Sequence, residues 1–253
     1  MEALKQRLIA GEGTPESDWQ KWSGLAAFPA VRPETLVPFA SRAVFVAPHP
    51  DDEVLGMGGL MARLAEMQRR LALVAVTDGD ASHHGSSLWP VERLRTERPV
   101  ETREALQRLR AFNVELTRMH IGDGQVRHAE ARLRERLSAM IRTTDVVITT
   151  WRFDGHPDHE ATGRAAAHAC MATGATLIEV PVWTWHWASP GDPRVPWSRA
   201  RRLALDPRAQ ARKRDAAQAF TSQIEEDPST GRPAILPTHV LDRLMRNFEV
   251  VFV

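Results

Sequence analysis

Residues 43–59, AVFVAPHPDDEVLGMGG, constrain the fold more than any other stretch. Ala43 to Ala47 is an apolar run with the length and β-branched content of a buried strand. It runs straight into Pro48-His49-Pro50-Asp51-Asp52-Glu53, a turn holding one imidazole and three carboxylates. A helical pattern starts near Val54 and carries Leu55, Leu60, Leu64 and Met67 on one face. Strand, polar turn and helix in that order form a βα unit, and open α/β sheets bind ligands at the carboxyl ends of such strands. Three adjacent acids raise at least one pKa by mutual repulsion unless a cation sits among them. Imidazole with carboxylate is a donor set that zinc accepts. The plainer explanation is a solvated acidic turn whose Asp caps the helix.

A second stretch favours the metal. Residues 145–159, DVVITTWRFDGHPDH, hold another apolar run, Val146 to Thr150, followed by a loop ending His156-Pro157-Asp158-His159. Two strand ends of one parallel sheet can bring their loops face to face. A catalytic zinc takes three protein ligands and keeps one position open. His49, Asp51, Asp52, His156 and His159 are all candidates, and spacing does not choose among them.

PHPDDE after the first strand, TDGD (Thr77–Asp80) after the second and HPDH late in the chain resemble the PIG-L (LmbE-like) zinc-dependent N-deacetylases. The resemblance runs from about Val44 to Val182. It implies removal of acetyl from an N-acetylglucosamine-type unit on a larger molecule, with one Zn2+ per chain, or another divalent metal, held by His49, Asp52 and His159. By the same resemblance Asp51 takes a proton from the attacking water and passes it to the leaving amine. His156, charged, stabilises the oxyanion, and Asp158 holds the His156 ring. Arg98 and Glu101 match an Arg-x-x-Glu whose Arg holds substrate, and Asp123 resembles an Asp that accepts sugar hydroxyls. One departure stands out. Some members carry a Tyr where this chain has Asp154, and this chain has no Tyr at all.

The remaining features are weaker. Asp80 places a carboxylate on the rim of the same site, or serves a glycine turn. Trp183, Trp185 and Trp187 alternate along a segment that reads as a strand with one aromatic face; Trp185 is then a sugar platform or a packing flap. Residues 92–112 read as a helix with Val100, Ala105, Leu106 and Leu109 inward, 128–142 as another, and Ala161–Ala172 as a small-residue helix burying Cys170. Residues 1–42 read as an N-terminal arm, helical over Met1–Ala10, packed on a domain spanning 43–253. Strands alternate with helical patterns, so the expected fold is one Rossmann-like α/β domain with a mostly parallel sheet and helices on both faces.

Composition excludes several classes. A net charge of +1 gives no case for nucleic acid. No apolar run approaches the ~18 residues of a membrane span. The single cysteine, Cys170, excludes an intrachain disulfide and, with no apolar leader at the start, points to the cytoplasm. A homo-oligomer is compatible with the sequence. The competing activities are cleavage of a different amide on the same scaffold, such as that of a thiol conjugate, and non-catalytic sugar binding. Asp51 argues against the last, because a binder needs no general base.

Overall fold

The computed structural model describes residues 7–253. Eight strands form one sheet: β1 (Ala30–Val31), β2 (Arg42–Ala47), β3 (Arg70–Thr77), β4 (Val114–Ile121), β5 (Val146–Thr150), β6 (Thr176–Val180), β7 (Ala200–Ala204) and β8 (Phe248–Phe252). Their spatial order is β1-β7-β8-β6-β5-β2-β3-β4. Only β8 runs antiparallel to its neighbours, β6 and β7. The α/β class and the mostly parallel sheet are as expected.

The two polar clusters meet because of strand order. From β2 the chain winds outward through β3 to β4, then returns to lay β5 on the other side of β2. That reversal makes a crevice at the carboxyl ends of β2 and β5, where doubly wound sheets bind ligands. Strand β2 is buried on both faces. Ala43, Phe45 and Ala47 pack into one apolar layer, and Val44 and Val46 into the other. The second layer is closed by helices Glu130–Met140 and Pro157–Thr173, which supply Leu133, Leu137, Ala165 and Ala169.

Several elements differ from expectation, each for a local reason. The helix after β2 breaks into Asp52–Leu55 and Gly58–Glu66. The second piece starts on a carboxylate from across the molecule: Gly59 N and Leu60 N donate to Glu249, which also accepts from the buried Lys213 ammonium at 2.7 Å. An anion at a helix N-terminus is favoured by the helix dipole. In helix Val91–Arg108 the buried face carries Arg98 and Glu101, while Val100 is 45% exposed. Charged heads replace the expected valine inside because each finds partners there. The helix expected from Ala161 begins instead at Pro157, with His156 as its N-cap. Proline suits the first helical position because its missing N–H would be unbonded anyway. The segment read as an aromatic strand is a short helix, Thr184–Trp187. Strand β7, ARRLA, carries too few apolar residues to show in the sequence.

Most of the helix expected over Met1–Ala10 lies outside the described residues, and 7–10 are not helical. The rest of the N-terminal region contributes β1 to the sheet edge and Trp19 to the core. Trp19 is fully buried, edge-on to Trp185 at 4.9 Å, and its indole N–H donates to Trp185 O. Among the described residues no helix is long and apolar enough to cross a membrane.

Trp19→Ala is expected to cost about 3–5 kcal/mol of unfolding free energy in urea. A loss below about 1 kcal/mol would mean that the arm adds nothing to the core. Burial pushes the Cys170 thiol up to about 12, so it stays protonated at neutral pH. Native protein should resist alkylation that proceeds on unfolding. Rapid labelling of the native thiol would contradict that environment.

Candidate metal and catalytic site

The turn after β2 is backbone-strained at its chemical centre. Asp51 has φ 125°, a region that L residues rarely adopt. The conformation is held by Asp51 N donating to Glu53 Oε2 at 3.0 Å and by Val54 N and Leu55 N donating to Asp51 O. It sends successive carboxylates to different places. Asp51 meets Arg98, whose Nη2 donates to Asp51 Oδ2 at 2.8 Å. Asp52 Oδ2 lies 3.2 Å from His49 Nδ1 and 3.1 Å from His159 Nε2.

The outer nitrogens of both histidines are tied to carboxylates. His49 Nε2 lies 3.2 Å from Asp123 Oδ1 and 3.3 Å from Asp158 Oδ2. His159 Nδ1 lies 2.9 Å from Asp154 Oδ2. Donation to these carboxylates turns His49 Nδ1 and His159 Nε2 towards Asp52, where a metal would take their lone pairs in place of the protons that the surrounding carboxylates otherwise favour. His159 Nε2 is buried and makes no hydrogen bond; Asp52 Oδ2 is near it but off hydrogen-bonding geometry. A buried, unbonded ring nitrogen beside a carboxylate, on a ring steered by a second carboxylate, is how proteins prepare a histidine for a metal. The residues therefore fit a divalent ion. Two sets of possible ligand atoms lie within 4.8 Å of one another, the three rings of His49, His156 and His159, and His49 with Asp123 and Asp158; Asp52 borders His49 and His159 of the first set. In the second set, Asp158 already accepts from Gly124 N at 2.7 Å and Val126 N at 3.2 Å, and Asp123 from Ala81 N at 3.0 Å.

The charges reflect this crowding. Burial opposes ionisation of Asp52, but His159 and then His49 hold its carboxyl far below the usual range. Burial likewise opposes charge on His159, which Asp52 and Asp154 nevertheless push up to about 9. Asp51 moves the other way. Burial pushes it up to about 8, with Arg98 opposing that rise and Asp52 adding to it.

His156 lies in a setting that disfavours its charge. Burial, followed by the charges on His49 and His159, pushes its pKa down to about 3. Its Nδ1 accepts from the Asp158 backbone N–H at 3.3 Å, which places the ring proton on Nε2. The Asp158 carboxylate serves His49 and the 124–126 loop; it does not hold the His156 ring.

Other expected site residues also find different partners. Arg98 is 2% exposed and donates to Asp51, Pro50 O and Gly79 O, so its guanidinium is held against the Asp51 carboxylate. Gly79 is obligatory there: its φ is +64°, and a Cβ would lie 1.9 Å from the Arg98 guanidinium. Glu101 accepts from Thr221 and Ser222, which anchors Gln223 at the cavity. Asp123 lines the cavity, but its carboxylate is engaged by His49 and Ala81. Asp80 accepts from Arg95 Nε at 2.6 Å and Asp123 N at 3.4 Å, behind the cavity wall. Trp185 is buried in the core, its indole donating to Pro181 O, and Trp183 lines the cavity in its place. Asp154, fully buried, accepts from His159, from Val182 N, Trp183 N and Thr184 N, and from the Thr184 hydroxyl. It joins the site to the tryptophan segment. The sequence marked Asp154 only as an oddity.

The cavity over these groups measures about 190 Å³, against the roughly 10–15 Å³ that one water needs. It is sized for a ligand. Residues 44–170 match the family model PIG-L, described as GlcNAc-PI de-N-acetylase. The chain belongs to the PIG-L family. Its fold is shared with teicoplanin deacetylase in a zinc-inhibited form, at 17% identity and a TM-score of 0.61 over 84% of this chain and 97% of that one. It is shared as well with the N,N'-diacetylchitobiose deacetylase of Pyrococcus horikoshii, at 20% identity and a TM-score of 0.57 over 74% and 72%. A glucosamine-6-phosphate deaminase-like protein of Bacteroides thetaiotaomicron is 41% identical over 49 residues, 19% of this chain and 7% of that one. The match spans so little of that relative that its activity is no guide here.

Asp154→Asn keeps the shape but removes the charge that steers His159. In this PIG-L protein it should weaken divalent-metal affinity by about 10–100-fold in a competitive chelator titration. Unchanged affinity would show that the His159 ring needs no steering.

Proposed function

We propose that the protein is a zinc-dependent N-deacetylase that removes acetyl from an N-acetylglucosamine-type conjugate, releasing acetate and a free amine. The observation that carries this reading is the convergence of His49 Nδ1, Asp52 Oδ2 and His159 Nε2 beside a strained Asp51 that is not among the three. Two imidazoles and a carboxylate with an open position suit a catalytic zinc. When bound, such an ion polarises a carbonyl and lowers the pKa of water from 15.7 to roughly 7.

The chain supplies the rest. Asp51, in its ionised form and oriented by Arg98, takes the proton of the attacking water and returns it to the leaving nitrogen. His156 offers its Nε2–H to the developing oxyanion as a neutral donor, which needs no imidazolium. Asp123 and Asp158 steer His49, and Asp154 steers His159. Trp183 gives the sugar ring a face to lie against. Acetate release from a panel of N-acetylglucosaminides, with and without chelator, tests the reading. Chelator-sensitive release supports it. Cleavage confined to another amide would leave the scaffold and change the substrate, and binding without turnover would remove the enzyme altogether.

Asp51→Asn is expected to retain metal and lose roughly 10² to 10⁴ in kcat. Loss of stoichiometric metal at unchanged stability would instead make Asp51 a ligand. The pH dependence has a definite sign. A base must be ionised, so kcat/KM falls as pH drops through the Asp51 pKa. Arg98 lowers that pKa, so Arg98→Met should move the acid limb to higher pH. An unmoved limb in a folded variant would assign it to another group.

A further inference from the structure

We infer that the substrate carries a carboxylate on an apolar group, and that Arg243 receives it. The deacetylase reading enters only through the scissile bond; the anion site stands on Arg243. This arginine is 2% exposed and lines the same cavity as His49 and Asp51. A buried charge ordinarily finds an opposite charge. Lys213 has Glu249, Arg98 has Asp51 and Arg246 has Glu16. Arg243 has no carboxylate partner among the described residues. Its Nη1 donates to Glu12 O at 2.9 Å and Thr14 O at 2.8 Å, and its Nη2 to His186 Nδ1 at 3.2 Å. Burial lowers the His186 pKa, outweighing the Ala10 O contact at 3.2 Å that favours a proton on Nε2, so the ring that accepts from Arg243 adds no charge. Glu16 is fully engaged by Arg246 at 2.9, 3.1 and 2.6 Å.

A guanidinium has five N–H groups. Three are used here, and two have no acceptor among the described residues. A smaller void of about 20 Å³ also borders Arg243 and has room for a single water, which leaves the main cavity, lined by Arg243 as well, as the side open to anything larger. One free cation with two donors suits a monoanion taken bidentately, which is carboxylate geometry. The wall around it is apolar: Val182, Trp183, Ile235, Leu236, Val240 and Leu244. A bare polyhydroxylated sugar would leave that wall unused.

The test uses the full-length, metal-loaded protein and β-N-acetylglucosaminides with matched aryl aglycones: 4-carboxyphenyl, 4-carbamoylphenyl and 4-phosphophenyl. The carboxylate should exceed the neutral carboxamide by about tenfold or more in kcat/KM, expressed mainly in KM, as for hydrogen bonds to a charged group. That ratio should fall towards one in Arg243→Gln and be partly kept in Arg243→Lys, whatever the absolute rates. A wild-type ratio near one would overturn the inference, and so would a preference for the phosphate. If the Gln variant does not fold, the wild-type ratio and its decline with rising salt still decide. Equilibrium dialysis with the corresponding free-amine glucosaminides separates the two readings. Tighter, Arg243-dependent binding of the carboxylate without turnover of any acetamide upholds the anion site and removes the deacetylase reading. Turnover without anion preference does the reverse.

Discussion

The position of Asp52, between His49 and His159, is the constraint on which the rest of the site depends. One carboxylate oxygen approaches an imidazole nitrogen on either side, at 3.2 and 3.1 Å. That geometry exists only because β2 and β5 are paired in parallel, Val46 against Thr149, so that both turns leave the sheet at one level. Each imidazole then needs its far nitrogen occupied, and each finds a carboxylate: Asp123 and Asp158 for His49, Asp154 for His159. So many acids in one place repel one another, and a divalent cation offsets that repulsion directly. Asp51, one residue away, is turned out of the cluster by its own strained backbone and joined to Arg98 instead. Neighbouring carboxylates thereby acquire opposite pKa shifts, the condition for separate roles.

The rest of the molecule shapes what reaches this centre. The N-terminal region and the helix Thr238–Leu244 lie far apart in the chain but are tied through Arg243, which holds the carbonyls of Glu12 and Thr14. His186 joins them from the tryptophan segment, accepting from Arg243 and bonding to Ala10 O. Asp154 connects that segment back to His159. The polar floor and the apolar wall are thus one bonded unit. Substitutions on the wall should be felt at the histidines.

Much of the centre was legible because chemistry-bearing residues followed strands directly. HPDD and HPDH named His49, Asp51, Asp52, His156 and His159, and βα alternation gave the sheet. What failed to show was whatever depends on side chains distant in sequence. The choice of Trp183 over Trp185 is made by Trp19, 166 residues before Trp185. Val100 lost its inward place to charges whose partners lie at Asp51 and Ser222. Strand β7 is held by backbone pairing with β1 and β8 and carries two arginines, so no apolar pattern announces it. At His156, burial and then neighbouring charges, both unreadable from spacing, oppose the expected cation.

The most direct measurement is anomalous diffraction at the zinc edge from crystals of the metal-loaded protein. A single peak bounded by His49 Nδ1, Asp52 Oδ2 and His159 Nε2 is the predicted result. A peak ligated by Asp123 and Asp158 instead, with Asp52 outside the coordination sphere, would contradict the account and return Asp52 to the role of a helix-starting carboxylate.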